Sequence, residues 1–461
     1  MFALVLARRS VPSEPLAARV RRRIVRPRPV QAVLVGFFAT AIVGSLLLML
    51  PVAGQGSRPA TPVQAIFTAV SALSVTGHIV VDTPVFWTPF GEVVILLLIQ
   101  IGGLGVMTFA SVVGLVVVRR LSLRSRLQAA AELGALGLDV RSLVKSVVII
   151  SMSLEAVVSL VLSVRFAMDG WHVADAIWLG VFHGVSSFNN AGFSLFSDSM
   201  VGYAADPAVS LTISAAVIVG GLGFPVIIEL WKRLPPRRWS MNTRIVLWAT
   251  PILLVLGTVY IAVLEWSNPD TLGGYHEGER VLVAFFQSVQ TRTAGFNSVD
   301  IGSMHQTTLF GMDAMMLIGG GPAGTAGGIK VTTFAVLFFI LVAELRGDPA
   351  VNVLGKRLSR AVHRQAIAVV VLSLAVIAIA TGGIMLISGL DQGRVLFEVI
   401  SAFSTVGLST GITSTLPESA QLILAALMFI GRLGPIAFAT ALALRERGVL
   451  YQLPKERPII G

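Results

Sequence analysis

The chain has 461 residues, of which 55% are hydrophobic and only 13% charged, with a mean hydropathy of +0.83. A soluble domain carries about a quarter charged residues, so a chain this apolar needs lipid around it, and the net charge of +11 does not by itself imply nucleic acid. The absence of cysteine excludes disulfides, thiolate metal sites and thiol catalysis.

The basic residues sit in six clusters, at Arg8–Arg28, Arg119–Arg126, Arg141–Lys145, Lys232–Arg244, Arg346–Arg364 and Arg445–Arg457, which hold 28 of the 35 Lys and Arg. Each flanks an apolar stretch, and the positive-inside rule assigns all six to the cytoplasmic face. The opposite face takes Asp82, Asp169, Asp198, Asp206, Asp270, Asp300 and Asp391. The expected surroundings are therefore a lipid bilayer with no nucleic acid, and both termini are expected in the cytoplasm. The Arg-rich start is not read as a cleaved leader. No small-residue cleavage site follows the apolar run from Val30 to Pro51, which is long enough to span a bilayer at about 20 residues.

In chain order, a basic segment (1–29) leads into four units of one grammar, 30–126, 127–238, 239–346 and 347–445, followed by a tail at 446–461. A long apolar helix opens each unit, at 30–51, 142–166, 245–266 and 365–389. A shorter amphipathic segment follows, at 62–75, 174–188, 279–291 and 393–405. A second apolar helix is expected through 91–118, 208–231, 312–342 and 419–443. The middle segments are too short to cross about 30 Å as helices, so they re-enter from the face they left.

Each middle segment ends in a related motif: Ser71-Ala-Leu-Ser-Val-Thr-Gly77, Ser186-Ser-Phe-Asn-Asn-Ala-Gly192, Ser288-Val-Gln-Thr-Arg-Thr-Ala-Gly295 with one extra residue, and Ser401-Ala-Phe-Ser-Thr-Val-Gly407. The final glycines are 115, 103 and 112 positions apart. A second landmark follows in step, Ile101-Gly-Gly-Leu-Gly105, Val219-Gly-Gly-Leu-Gly223, Ile318-Gly-Gly-Gly-Pro322 and Ile430-Gly-Arg-Leu-Gly434. Two landmarks recurring four times imply an internal repeat. Two crossings and one re-entrant dip give every unit the same sense, and parallel repeats arrange about an axis along the membrane normal. The predicted fold is an all-α integral membrane protein of four parallel helix–pore loop–helix repeats. Its eight transmembrane helices form a pseudo-fourfold arrangement around one central pore.

Non-helical backbone at membrane depth must be buried in protein or line a wet cavity. Four such loops on one axis make a candidate cation filter of Val75, Thr76 and Gly77, Asn190, Ala191 and Gly192, Thr293, Ala294 and Gly295, and Thr405, Val406 and Gly407. Each preceding helix aims its partially negative end at the axis, and carbonyls can replace an ion's hydration shell. The hydroxyls of Thr76, Thr293 and Thr405 can steady the loops or touch the ion. A neutral carbonyl site suits a monovalent cation, since divalent sites want converging carboxylates. No cofactor is expected.

These motifs, with the Gly-rich stretch 319–328 and Gly431-Arg432-Leu-Gly-Pro435, resemble the Trk/Ktr/HKT superfamily of potassium transporters over residues 30–461. The direct start on the first repeat and the short tail Pro454–Gly461 look most like its bacterial KtrB-type membrane subunits. The resemblance implies potassium uptake across the bacterial cytoplasmic membrane, with sodium stimulation. It also implies a homodimer with one pore per subunit and a cytosolic ring of nucleotide-binding KtrA-type regulators. In that family a serine at the first filter glycine accompanies sodium selectivity, so Gly77 favours potassium. A sodium- or proton-coupled symporter of broader monovalent selectivity is the alternative. His78 departs from the family, which more usually has an apolar residue there, as this chain does at Phe193, Phe296 and Leu408. It is either a titrating group at the outer mouth or a packed residue without a role in transport.

In the third repeat Gly319, Gly320, Gly321, Pro322, Gly324, Gly327 and Gly328 interrupt the second helix, since each glycine costs about 1 kcal/mol relative to alanine and proline about 3. This run is read as an intramembrane gate, with a kink for close helix packing as the alternative. Arg432 replaces the glycine found at 103, 221 and 320. A charge at membrane depth faces the pore or a partner, so Arg432 is either a barrier to cations or one half of a carboxylate pair. Lys330, just after this run, is read as snorkelling toward the cytoplasm. Gly328-Ile-Lys330-Val lacks the Gly-Lys-Ser/Thr order of a phosphate loop. His183 and Ser194 flank the second motif without the setting a serine nucleophile requires, and the chain is not read as an enzyme. Glu155 and Glu398 are read as protected helix contacts, with proton relay as the other possibility.

Overall fold

The computed structural model describes residues 29–56, 59–119, 140–233 and 235–434. The N-terminal basic run, the segment 120–139 and everything beyond 434, including the tail at 446–461 and the end of the helix expected at 419–443, lie outside the described residues.

The first unit comprises α1 (Pro29–Leu48), α2 (Pro62–Leu73) and α3 (Pro89–Arg119). The second comprises α4 (Val140–Met168), α5 (Val173–Phe188), α6 (Pro207–Leu222) and α7 (Phe224–Trp231). The third comprises α8 (Met241–Glu265), α9 (Glu277–Gln290), α10 (Gln306–Leu317) and α11 (Val331–Arg346). The fourth comprises α12 (Arg360–Ser388), α13 (Gln392–Ser404) and α14 (Glu418–Leu433). A small antiparallel ribbon, β1 (Asn352–Val353) with β2 (Lys356–Arg357), links the third and fourth units. It is the only sheet among the described residues, so the fold is otherwise helical.

The short helices begin where the sequence supplies a cap. Thr61 Oγ1 accepts from Gln64 N–H while the Gln64 side chain accepts from Thr61 N–H, and Pro62 needs no partner for its nitrogen. Asp391 likewise accepts from Gly393 N–H. At their other ends α2, α5, α9 and α13 run straight into the four glycine motifs. Their last turns are buried, with Leu73, Phe188, Val289 and Phe403 at the centre of the molecule.

Around this centre stand the longer helices. Among the described residues α4, α8 and α12 are long and apolar enough to cross a membrane alone, and α6 with α7 make a fourth if counted together. They leave large apolar side chains uncovered, Leu160 at 65%, Trp248 at 70%, Ile379 at 76% and Leu386 at 91% exposure. Belts of this kind are tolerable against lipid and not against water. The protein is thus a multi-pass helical membrane protein.

The second helices differ from unit to unit. In the first unit α3 is continuous for 31 residues. The helix expected over 208–231 is instead two, α6 and α7, bent by 99° at Gly223, where φ is +92°. Pro225 explains the break, because it offers no N–H to the carbonyl four residues earlier. In the third unit the interruption expected at 319–328 is present between α10 and α11. In the fourth, α14 stops at Gly434 with φ +85°.

Candidate functional site

The four glycine motifs adopt one backbone pattern. Gly77, Gly192, Gly295 and Gly407 have φ of +88°, +69°, +81° and +96°. The residues two positions earlier, Val75, Asn190, Thr293 and Thr405, are also left-handed at +54°, +60°, +67° and +51°. Thr76, Ala191, Ala294 and Val406 between them are not. In an extended strand successive carbonyls point to opposite sides; reversing the sign of φ at alternate residues brings them to the same side. Left-handed backbone is uncommon for non-glycine residues and a genuine outlier for a β-branched valine. Its recurrence at four equivalent places marks a conformation imposed by the surroundings.

The four segments also close on one another. A Cβ placed on Gly77 would strike Ala191 O and the backbone of Gly192. From Gly192 it would strike Ala294 O and Gly295, from Gly295 Val406 O and Gly407, and from Gly407 Thr76 O and Gly77. Each glycine therefore abuts the next segment, and the fourth returns to the first. The result is a ring of backbone with no room for a side chain at those positions. All four glycines lie at the bottom of a cavity of about 590 Å³, whose wall also carries Asp82, Asp198 and Asp300.

Behind the ring, side chains of the short helices hold each segment from its outer side. Ser71 and Ser186 donate to the carbonyls seven residues on, His78 O (2.7 Å) and Phe193 O (2.8 Å). Ser401 accepts from Gly407 N–H at 3.1 Å. The extra residue of the third motif breaks this register, and Ser288 turns away to Leu254 O. Gln290 Oε1 takes Phe296 N–H instead, and Gln287 Oε1 takes the N–H and hydroxyl of Ser298. In the fourth unit Glu398 accepts from Ser409 Oγ (2.7 Å), Thr410 N–H (2.8 Å) and Thr413 Oγ1 (2.6 Å). In the second, His183 Nδ1 donates to Leu179 O at 2.8 Å, which leaves Nε2 to accept from Leu195 N–H at 3.2 Å. Ser194 Oγ lies 3.0 Å from that nitrogen. With both ring nitrogens engaged by the main chain, His183 is a brace.

In the same motifs the hydroxyls of Thr76, Thr293 and Thr405 are buried without a hydrogen-bond partner. Buried polar atoms of this kind call for a partner such as an ion or its water. His78 does not point into the outer cavity. It is 1% exposed, with Nδ1 at 3.4 Å from Thr413 Oγ1 and 3.6 Å from Glu398 Oε2. Since Thr413 gives its own proton to Glu398, Nδ1 is the donor in this contact. This is the packed arrangement of the two considered.

Beneath the ring lies the loop between α10 and α11. Its two ends are zipped together by Gly319 N–H to Ile329 O (2.8 Å) and Val331 N–H to Gly320 O (3.0 Å). Thr325 Oγ1 donates to Asn190 Oδ1 at 2.9 Å, and Gly327 packs against Thr405 and Ser404. The loop thus touches the second and fourth segments, which are opposite one another in the ring. Three cationic side chains donate to its carbonyls: Arg292 to Gly319 O (3.2 Å), Lys330 to Ala326 O (2.5 Å) and Arg432 to Thr325 O. Arg432 also donates to Gly102 O of α3 at 3.2 Å. Among the described residues its hydrogen-bond partners are thus these two carbonyls, in place of the carboxylate pair weighed from the sequence.

Residues 27–450 match the TrkH family of cation transport proteins. The chain belongs to that family. It is 39% identical over 426 residues to "Ktr system potassium uptake protein B" of Bacillus subtilis, covering 92% of this chain and 95% of the relative. It is 40% identical over 438 residues to the protein of the same name from Vibrio alginolyticus, with 93% and 94% covered. A third relative, "Potassium/sodium uptake protein NtpJ" of Enterococcus hirae, is 33% identical over 456 residues, with 96% and 99% covered. The crystal structure of the potassium transporter TrkH from Vibrio parahaemolyticus shares the fold, with a TM-score of 0.71 at 18% identity over 92% of this chain and 86% of that one.

For a TrkH-family chain, the structure brings the twelve predicted motif residues into one ring and sets the six loop glycines and Arg432 directly under it. Sequence reasoning missed Arg292, which stands one residue before Thr293 and is 8% exposed. A lone charge inside an otherwise neutral motif was the available signal. It also missed the polar knot in which Glu155 accepts from Gln100 Nε2 (3.0 Å) and Asn189 Nδ2 (3.0 Å), joining α3 and α4 to the second motif. No spacing rule connects those three positions.

Proposed function

We propose that this chain takes up potassium through a carbonyl-lined filter of four repeats, formed by eight crossings around one axis. The observation that carries the reading is the closed ring of left-handed glycines at the floor of an outer cavity. Carbonyls turned to one side by that backbone replace the hydration shell of a large, weakly hydrated ion. The four short helices add their partially negative ends, and the unpartnered hydroxyls of Thr76, Thr293 and Thr405 are available to an ion in this reading. The aspartates of the cavity wall raise the local concentration of cations. Relatives named for potassium uptake support the choice of ion, as does glycine at position 77.

The loop 319–328 is the gate in this reading and Arg432 its latch. With Thr325 O bonded to Arg432 and Thr325 Oγ1 bonded to Asn190, the loop stands in the way of an ion leaving the ring. Opening requires these bonds to exchange for water. Cytoplasmic termini, a homodimer, a KtrA-type nucleotide-binding ring and sodium stimulation complete the proposal by likeness to the family. A relative named for both potassium and sodium uptake supports the second reading, a coupled carrier of broader selectivity.

The test is rubidium uptake into proteoliposomes with potassium, sodium and caesium as competitors. Potassium is expected to compete best, and Gly77→Ser to lower its advantage over sodium. Equal competition by sodium in the parent protein sinks the potassium filter. Uptake that stops without a sodium gradient replaces the channel-like reading with the carrier.

A further inference from the structure

The bend in the second unit and the loop of the third are parts of one device. A helix that ends at Leu222 leaves its last carbonyls without intrahelical partners. Pro225 makes this permanent for Gly221, whose carbonyl would otherwise take the N–H of residue 225. Two of these freed carbonyls are occupied by the loop: Gly321 N–H donates to Gly221 O at 2.8 Å and Thr325 N–H to Gly220 O at 3.2 Å. In the reverse direction Phe224 N–H, at the start of α7, donates to Ala323 O at 3.1 Å. The fit leaves no space for side chains. A Cβ on Gly223 would meet Pro322 O, and one on Gly324 would lie 3.0 Å from Gly223 N and 3.1 Å from Gly220 O. Ala323 takes a left-handed φ of +56° to present its carbonyl there.

We infer that the Gly223–Pro225 break is a cradle that positions the loop under the ring, so that the bend between α6 and α7 sets whether the path is closed. The inference rests on the reading of loop 319–328 as a gate. The physical reason is complementarity of main-chain groups. A straight helix through 208–231 would consume the carbonyls of Gly220 and Gly221 internally and leave the loop nothing to bind. A loop without the cradle would bury its own N–H groups unpaired, at about 1–3 kcal/mol each. Break and loop therefore stabilise one another, and motion of one moves the other.

The chain contains no cysteine, so a reporter pair can be placed without background. The backbone bond between residues 224 and 323 brings their main chains within disulfide reach. Phe224→Cys with Ala323→Cys should lose rubidium uptake on oxidation and regain it with dithiothreitol, while each single variant ignores both treatments. Independently, Pro225→Ala restores an N–H for Gly221 O and should raise uptake per molecule about tenfold, for one or two lost docking bonds, with the potassium-over-sodium preference unchanged. A formed disulfide that leaves uptake untouched overturns the cradle, as does Pro225→Ala with parental uptake per folded molecule. If Arg432→Ala and Thr325→Val, which release the loop without touching the cradle, also leave uptake at the parental rate, the gate reading has failed instead; if they raise it while the disulfide does nothing, the cradle alone has failed.

Discussion

The second helices of the first and third units carry the same landmark and meet opposite fates. Gly102, Gly103 and Gly105 sit inside α3, which runs on for 31 residues. Gly319, Gly320 and Gly321 end α10 and open a loop that closes only at Ile329. Glycine alone does not decide this, since a few residues at about 1 kcal/mol each can be carried by packing. Proline accompanies the break in three units. It stands inside the landmark at 322 and just past it at 225 and 435, and the helices end at Leu317, Leu222 and Leu433; the first unit has Val106-Met107 after its landmark and continues. The glycines have a different task in three of the units. A Cβ on Gly102, Gly220 or Gly431 would strike Leu73 O, Phe188 O or Phe403 O, carbonyls at the ends of the short helices, whereas one on Gly319 would strike Gly327 O of its own loop. The first landmark glycine thus serves close approach to the short helix in the first, second and fourth units.

The sharpest way to break this comparison is Gly102→Val. If the glycine serves close approach, the variant loses about 3 kcal/mol through overpacking, read as a lower thermal midpoint in detergent, and an unchanged midpoint refutes it. Next comes Arg432→Ala, which removes two donors from a charged group, one of them on the loop. At about 2 kcal/mol this amounts to roughly thirtyfold faster rubidium uptake per molecule; reduced yield with parental rate would make Arg432 a strut. Thr325→Val removes a neutral bond from the loop to Asn190 and should raise uptake about fivefold, with fluxes in matched vesicles as the check. The smallest effect is expected at Gly105, where an added Cβ meets nothing within 4 Å. Gly105→Ala in the unbroken helix should stabilise by under about 1 kcal/mol with no change in uptake, and a loss of stability there would mean that the first helix also needs its flexibility.

Much of this organisation was legible in the amino-acid sequence because glycine and proline act through the backbone of their own residue. Gly77, Gly192, Gly295 and Gly407 announce positive φ, and the run at 319–328 announces a break. The break at Gly223 was equally announced by Pro225, yet the apolar run from 208 to 231 reads as one span because hydropathy does not register a missing N–H. Side-chain partners were not legible. Val75 gives no local sign of its left-handed conformation. The orientation of His78 depends on Thr413 and Glu398, more than 300 positions away. The extra residue in the third motif could be counted from the sequence, but its compensation by Gln287 and Gln290 could be seen only once the segments were placed.

The ring's middle positions hold Thr76, Ala191, Ala294 and Val406, one hydroxyl against three apolar side chains. An assembly of identical subunits would repeat any substitution on every wall, so that selectivity changes in a single leap. In the proposed filter each wall is spelled out separately along one polypeptide, so a substitution would alter a quarter of an ion's surroundings while three quarters stay as they were, and ion preference would be adjusted in small steps, one wall at a time.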